Sequence, residues 1–149
     1  SDLKEIVEKE AVRALVEADV LTICSGGGGI PVVAEDGQYV GVEAVNDKDF
    51  SARVLAENVD ADRLIILTGV DNIYINYNQP DQKALEQISV AEAEEYIKEG
   101  HFAAGSMLPK IEAALDFVKG DDKRKAIITS IENLENIDKE AGTVISQKG

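Results

Sequence analysis

Four short segments of the sequence combine small residues with charged or hydroxyl side chains. In chain order they are residues 25–29, 47–49, 68–71 and 105–110. Each lies where a predicted strand or loop gives way to the next element. Oxyanions are bound in proteins by backbone N–H groups and by a few local cations. These segments are therefore the candidates for chemistry.

The first segment is a serine followed by four glycines, of which Gly28 and Gly29 come last. Glycines let backbone N–H groups approach an oxyanion without side chains in the way. The run matches neither the phosphate loop that ends in Gly-Lys-Ser/Thr nor the dinucleotide fingerprint. A sharp turn into a hairpin accounts for the glycines equally well, so both interpretations stay open.

Two lysines are predicted to lie near helix N-termini. Lys48 stands between Asp47 and Asp49 at the start of one predicted helix, and Lys110 follows Pro109 at the start of another. A lysine is unfavourable beside the positive end of a helix dipole, and a bound phosphate would supply a reason for its placement. The alternatives are that Asp47 is an ordinary helix cap and that both lysines are solvated surface residues.

The chain contains one histidine and one cysteine. His101 falls at a predicted helix–loop junction, where a structural or exposed position is favoured over general-base catalysis. No cluster of His, Cys, Asp and Glu has the spacing of metal ligands, so we expect no dedicated protein metal site. Any Mg²⁺ is expected to arrive with a nucleotide.

Composition excludes several classes of function. The net charge of −14 over 149 residues disfavours a nucleic-acid partner and an anionic membrane surface, since both require clustered Lys and Arg. No apolar run approaches the roughly 18 residues of a membrane span. A lone cysteine forms no intrachain disulfide, which agrees with a cytoplasmic location.

The elements that must position these residues alternate between helix and strand. Helices are predicted over residues 3–18, 47–57, 90–99 and 110–119, the third with Ser89 as its N-cap. Buried strands are predicted at 20–24, 63–68 and 125–129, an edge strand at 142–145, a hairpin around Asp36-Gly37 and a loop over 73–80. This pattern predicts one α/β domain over residues 1–149, with a mostly parallel sheet and helices on both faces.

In such a sheet, ligands bind in the crevice beyond the carboxyl ends of the strands. No opening strand and phosphate loop precede the first predicted helix, so we expect the crevice to have only one wall here. The sequence thus indicates half of a ligand-binding fold.

Taken together, the sequence resembles the carbamate kinases, which belong to the amino acid kinase family. The resemblance spans nearly the whole chain in the family's order. The segments that carry it are SGGGGIPVV (25–33), GVEAVNDKDF (41–50), ILTGVD (66–71), YINY (74–77), PDQK (80–83), GHFAAGSMLPKIEAA (100–114) and AIITS (126–130).

The resemblance implies reversible phosphoryl transfer between ATP and carbamate, or from carbamoyl phosphate to ADP, with Mg²⁺. It implies that Lys48 and Lys110 reach the phosphates, and that Asp49 orients these lysines. Residues implied to line the adenosine pocket or its edge are Thr68, Gly69, Val70, Tyr77, Ser106 and Met107, while Gly28 and Gly29 would lie at the substrate end. The full-length enzyme is expected to be a cytoplasmic homodimer.

Departures from the family pattern are few. Asn46 and Ala104 stand where Ile and Pro are usual, and Asn78-Gln79 replaces Gly-Lys. The family's N-terminal half, which holds carbamate and one side of the phosphates, has no counterpart, so we expect this C-terminal, nucleotide-binding half to be inactive alone. Two alternatives remain: another amino acid kinase, such as a uridylate, glutamate or acetylglutamate kinase, or a non-catalytic nucleotide-binding module. A third interpretation takes the four segments as turns only.

Overall fold

A computed structural model describes residues 3–149. The chain divides into two compact units, the first ending at Asp60 and the second running from Ala61 to Gly149. The first unit contains, in order, α1 (Lys9–Glu17), β1 (Val32–Glu35), β2 (Gln38–Gly41) and α2 (Lys48–Asn58).

Within the first unit, β1 and β2 form an antiparallel hairpin closed at Asp36-Gly37. Both turn residues have positive φ, 47° and 79°, as the predicted Asp-Gly turn requires. Helix α1 buries Val12, and Arg13 forms a 3.0 Å ion pair with Asp60 just beyond α2. The hairpin prediction is confirmed, and α1 is shorter than predicted.

The second unit contains eight strands and helices together with one 3₁₀ helix. They are β3 (Arg63–Thr68), β4 (Ile73–Ile75), β5 (Lys83–Leu85), β6 (Gln87–Ser89), α3 (Val90–Lys98), α4 (Met107–Lys119), β7 (Lys125–Ser130), the 3₁₀ helix (Glu132–Lys139) and β8 (Thr143–Ser146).

The main sheet of the second unit has the strand order β3-β7-β8-β6. Strands β3 and β7 are parallel, as are β6 and β8, and a single antiparallel pairing joins β7 to β8. Helices α3 and α4 pack on this sheet. The prediction of an α/β fold with a mainly parallel sheet and flanking helices is therefore confirmed.

The core of the second unit is centred on β7 and α4. In β7 every residue from Ala126 to Ser130 is buried, whereas the edge strand β3 buries Leu64 and Ile66 and leaves Ile65 about 40 % exposed. On α4, the buried side chains are Ile111, Ala113, Ala114, Leu115, Phe117 and Val118. This helix presents its apolar face to the sheet, as its sequence pattern predicts.

Residues 20–24 are not a buried strand, and that prediction was wrong. They form no regular element, and Leu21 and Ile23 are 97 % and 98 % exposed. A short apolar run becomes a strand only when another strand satisfies its backbone N–H and C=O groups. Among residues 3–149, no strand pairs with this segment.

Two predictions for the second unit also need correction. The predicted loop over 73–80 begins with β4, which pairs with β5 in a two-stranded sheet. The predicted edge strand is β8, which lies between β7 and β6 and is not at the edge. The three-residue strand β6 takes the edge, and so short a run carries no periodicity to reveal it. In the described part of the chain, no helix is long and apolar enough to cross a membrane.

Candidate functional site

In the first unit, the glycine loop lies against the start of α2. The hydroxyl of buried Ser51 donates to the carbonyl oxygen of Gly28 over 2.8 Å. A Cβ on Gly28 would lie 2.6 Å from the backbone oxygen of Asn46, and φ at this glycine is +127°. Only glycine permits both this approach and this backbone conformation.

The start of α2 carries two of the predicted functional residues. Asp47 caps the helix, because its Oδ1 accepts from the backbone N–H of Asp49 over 2.7 Å. Lys48 is the first helical residue and is exposed, whereas the Asp49 side chain is buried. The cap interpretation of Asp47 is correct, and it leaves the lysine beside N–H groups at the helix end that attract anions.

Gly28 and Gly29 also line a cavity of about 820 Å³ in the first unit. Gly29 is exposed, and its positive φ of 82° is accompanied by open space where a Cβ would lie. Asn46 lines the same cavity. The structure therefore brings the two glycines of the predicted substrate end to one opening, next to the residue that precedes the cap of α2.

In the second unit, the segment after β3 is fixed by hydroxyls of β7. Ser130 donates to Oδ1 of Asp71 over 2.5 Å, and Thr129 donates to the Asp71 backbone oxygen over 3.3 Å. Thr68 ends β3, with Gly69 and Val70 between it and Asp71. The predicted Thr68, Gly69 and Val70 are thus held at the carboxyl ends of two parallel strands, where ligands bind in α/β sheets.

A further cavity of about 840 Å³ opens beside this segment. Asp71 lines it together with Asn72, Tyr96 and Asn133, but the six predicted adenosine residues are not among its lining. The buried hydroxyl of Thr143 accepts from the Ile73 N–H over 2.8 Å and donates to the carbonyl of Leu85, which lines the cavity. Sequence reasoning missed these roles of Ser130 and Thr143, since buried hydroxyls in strands have no distinctive pattern.

Tyr77 lies in the loop between β4 and β5. Its ring is about half exposed and meets the ring of Tyr74 at a centroid distance of 5.8 Å. The loop contains Asn76 and Asn78 with φ of 52° and 60°. Asparagine is one of the few residues that accept this left-handed conformation, so both residue types suit their positions in the loop.

The remaining predicted residues lie at the start of α4. Ser106 is the N-cap without a side-chain capping bond, Met107 opens the helix, and Pro109 falls in its first turn as expected. Lys110 follows and is half-buried. The helix starts three residues earlier than predicted, and Lys110 keeps its position close to the helix N-terminus.

The structure places the predicted residues in two groups. Gly28, Gly29, Lys48 and Asp49 belong to the first unit, whereas Thr68–Val70, Tyr77, Ser106, Met107 and Lys110 belong to the second. In residues 3–149, no group of three His, Cys, Asp or Glu side chains is placed to hold a metal ion.

Comparison with known proteins gives one consistent result. Residues 2–130 match the amino acid kinase family. The carbamate kinase of Latilactobacillus sakei is 54 % identical over 95 % of this chain and 46 % of its own length. Carbamate kinase 1 of Enterococcus faecium is 54 % identical over 96 % of this chain and 46 % of its own.

Among solved structures, the Giardia lamblia carbamate kinase bound to AMP-PNP superposes with a TM-score of 0.91 at 42 % identity. The match covers 97 % of this chain and 51 % of the Giardia chain. The present chain spans about half the length of the curated relatives it matches. On the family match and the fold, the chain is a member of the amino acid kinase family.

Proposed function

We propose that this chain supplies the nucleotide-binding, C-terminal half of a carbamate kinase. The reaction is reversible phosphoryl transfer, in which ADP and carbamoyl phosphate give ATP and carbamate. The observation that carries the proposal is the 54 % identity to carbamate kinases over almost the whole chain. The likeness to a carbamate kinase that binds the ATP analogue AMP-PNP supports the nucleotide part.

Phosphoryl transfer requires in-line positioning and neutralisation of oxygens more than covalent chemistry by the protein. Lys48, at the first position of α2, and Lys110, near the start of α4, are the cations proposed for this role. Each combines a mobile positive charge with the N–H groups of a helix end. Buried Asp49 is proposed to orient the lysines.

The nucleotide is proposed to contact Thr68, Gly69, Val70, Tyr77, Ser106 and Met107. Support comes from the fixed backbone after β3 and from the exposed Tyr77 ring, which offers a flat apolar face. Gly28 and Gly29 are proposed to face carbamate or carbamoyl phosphate.

Mg²⁺ usually binds proteins through nucleotide phosphates with one or two carboxylates. We propose that Mg²⁺ enters this site together with the nucleotide phosphates. The ion, when bound, neutralises charge on the phosphates.

We further propose that the two units serve together as one nucleotide-binding half. The 149 residues alone are proposed not to catalyse transfer, and the full-length enzyme is proposed to be a cytoplasmic homodimer.

A chimera tests the proposal. The region of Enterococcus faecium carbamate kinase 1 that matches this chain is replaced by residues 1–149, and ATP formation from ADP and carbamoyl phosphate is measured. The chimera should be active, and Lys48→Ala or Lys110→Ala should lower kcat by at least about 100-fold, the usual effect of losing one transition-state charge contact. Lys119→Ala, at an exposed ion pair with Glu94, is the matched control and should change little.

The alternatives predict different results. Another amino acid kinase would give a folded chimera that is inactive with carbamoyl phosphate and active with a different acyl or nucleotide phosphate. If the domain is a non-catalytic module, the chimera should show no turnover, and the lysine variants should only bind MgADP more weakly. If a folded chimera kept full activity after both lysines were replaced by alanine, the roles proposed for them would be contradicted.

A further inference from the structure

His101 connects two segments of the second unit that the proposed function uses. Its Nδ1 lies 3.4 Å from the backbone nitrogen of Asn76, which donates to it from the β4–β5 loop. Its Nε2 lies 2.9 Å from Oε2 of Glu99. The imidazole side chain is only 19 % exposed.

The end of α3 sets the position of the ring. The N–H of Gly100 bonds to the carbonyl of Ile97, and the N–H of His101 bonds to that of Tyr96. This pair of bonds, with a positive φ of 78° at Gly100, is the Schellman arrangement that terminates helices. It places His101 beside Tyr96, and the two rings meet edge to face with their centroids 5.8 Å apart.

The loop that His101 contacts is itself well fixed. Asn76 Nδ2 donates to Asp81 over 2.7 Å, and the N–H of Asn78 donates to Gln82 Oε1 over 2.8 Å. Tyr77 lies between these two anchors. A displacement of Asn76 should therefore move Tyr77 together with the rest of the loop.

The protonation state of the ring follows from its partners. A backbone N–H can only donate, so Nδ1 must present its lone pair to Asn76, and the proton of the neutral ring lies on Nε2, facing Glu99. A proton on Nδ1 would place two donors, Nδ1–H and the Asn76 backbone N–H, opposite each other. Tyr96 and Glu99 lie beside the ring, and Asp81 accepts a hydrogen bond from Asn76 in the loop.

We propose that neutral His101 is a positioning residue that holds the β4–β5 loop, and with it Tyr77, against the segment that leads from α3 into α4. The proposal rests on the proposed nucleotide site. Because His101 touches neither the phosphates nor the transferring group in this role, its loss should weaken nucleotide binding and leave the rate of the chemical step almost unchanged.

Two variants separate this role from a merely structural one. In His101→Asn the side-chain amide oxygen lies near the position of Nδ1 and can accept from Asn76, whereas His101→Gln reaches toward the position of Nε2. We expect His101→Gln to raise the Kd for MgADP, and the nucleotide KM in the chimera, about fivefold, which is the effect of one lost hydrogen bond. His101→Asn should stay within about twofold, with kcat preserved in both.

Nuclear magnetic resonance on the 149-residue chain gives a readout independent of nucleotide. Since His101 is the only histidine, its ¹⁵N shifts report the tautomer directly, and the Asn76 amide should exchange faster in His101→Gln than in His101→Asn.

A proton on Nδ1 of the neutral ring, or a His101→Gln variant with unchanged Asn76 exchange, would overturn the proposal. Absence of MgADP binding by the wild type would instead count against the proposed function, and the amide and tautomer measurements would still decide the role of His101.

Discussion

The hydroxyl of Ser51 donates a 2.8 Å hydrogen bond to the carbonyl oxygen of Gly28. Ser51 is 1 % exposed and lies one turn into α2, so the bond fixes the glycine loop to the helix that carries Lys48. This buried side chain therefore helps to hold the glycine loop in place.

Removing this bond should destabilise the first unit. Ser51→Ala leaves the Gly28 carbonyl without the Ser51 hydroxyl and is expected to lower the free energy of unfolding by about 1–2 kcal/mol. Urea unfolding followed by circular dichroism measures the change. Ser106→Ala removes a hydroxyl that makes no capping bond and should be nearly neutral. If the two variants lowered the free energy of unfolding equally, the Ser51 hydrogen bond would not contribute measurably to stability.

Gly28 and Gly27 offer a matched pair for the close approach in the same loop. Gly28→Ala places a Cβ 2.6 Å from the Asn46 oxygen at a φ of +127°, and should cost about 2 kcal/mol or more in unfolding free energy. Gly27→Ala meets no atom within 4 Å and should be neutral or slightly stabilising. Denaturant titration of both variants provides the test, and a tolerated Gly28→Ala would contradict the described loop geometry.

The contact between Asp71 and Ser130 should stabilise the segment after β3. Ser130→Ala removes a buried hydroxyl that bonds to a carboxylate over 2.5 Å, and an unfolding cost of about 1.5–3 kcal/mol is expected. Asp71→Asn retains an acceptor oxygen and should cost less than half as much. Thermal unfolding distinguishes them, and the reverse order would mean that the carboxylate charge has another partner of greater importance.

Acid should weaken the N-terminus of α3. Ser89 and Glu92 form a reciprocal capping box, and the hydrogen bonds from the Ser89 backbone and hydroxyl hold the pKa of Glu92 below its usual value. A lowered folded-state pKa means that the contribution to stability is complete above the unfolded pKa of about 4.3, and is lost as pH falls through the folded value.

Variants at the same helix isolate this contribution. Glu92→Gln keeps a capping amide without a titrating group, so its stability relative to the wild type should improve between about pH 5 and pH 3. Glu95→Gln, on an exposed position of α3, should keep the wild-type pH dependence. Urea titrations at several pH values provide the comparison. If the stability of Glu92→Gln depended on pH in the same way as that of the wild type, the role assigned to Glu92 would be refuted. Ser89→Ala should cost about 1 kcal/mol at neutral pH.

The sequence predicted those elements whose signal is local. Strand β3 has the predicted bounds, α3 begins after the predicted Ser89 cap, and the Asp36-Gly37 turn follows from its residue types. In each case propensity, capping or turn chemistry acts within a few residues, and tertiary contacts agree with it.

The failures occur where structure depends on distant partners. Residues 20–24 are as apolar as β3, yet without a paired strand they form no regular element. Strand β6 has only three residues, and its pairing with β8 is not encoded nearby. Likewise the positions of Lys48 and Lys110 at helix starts could be predicted, whereas the bonds of Ser51, Ser130 and His101 depend on segments far apart in sequence.

The mixed pairing of β7 has a consequence for the order of folding. Strand β8 follows β7 after one 3₁₀ helix, so their antiparallel pairing closes a short loop. Strand β3 must reach β7 across β4, β5, β6, α3 and α4, and closing that longer loop costs more chain entropy. We expect β7, β8 and α4 to assemble early and β3 to join late, because contacts between distant residues slow folding. The segment after β3, where nucleotide binding is proposed, would then be completed only in the last step.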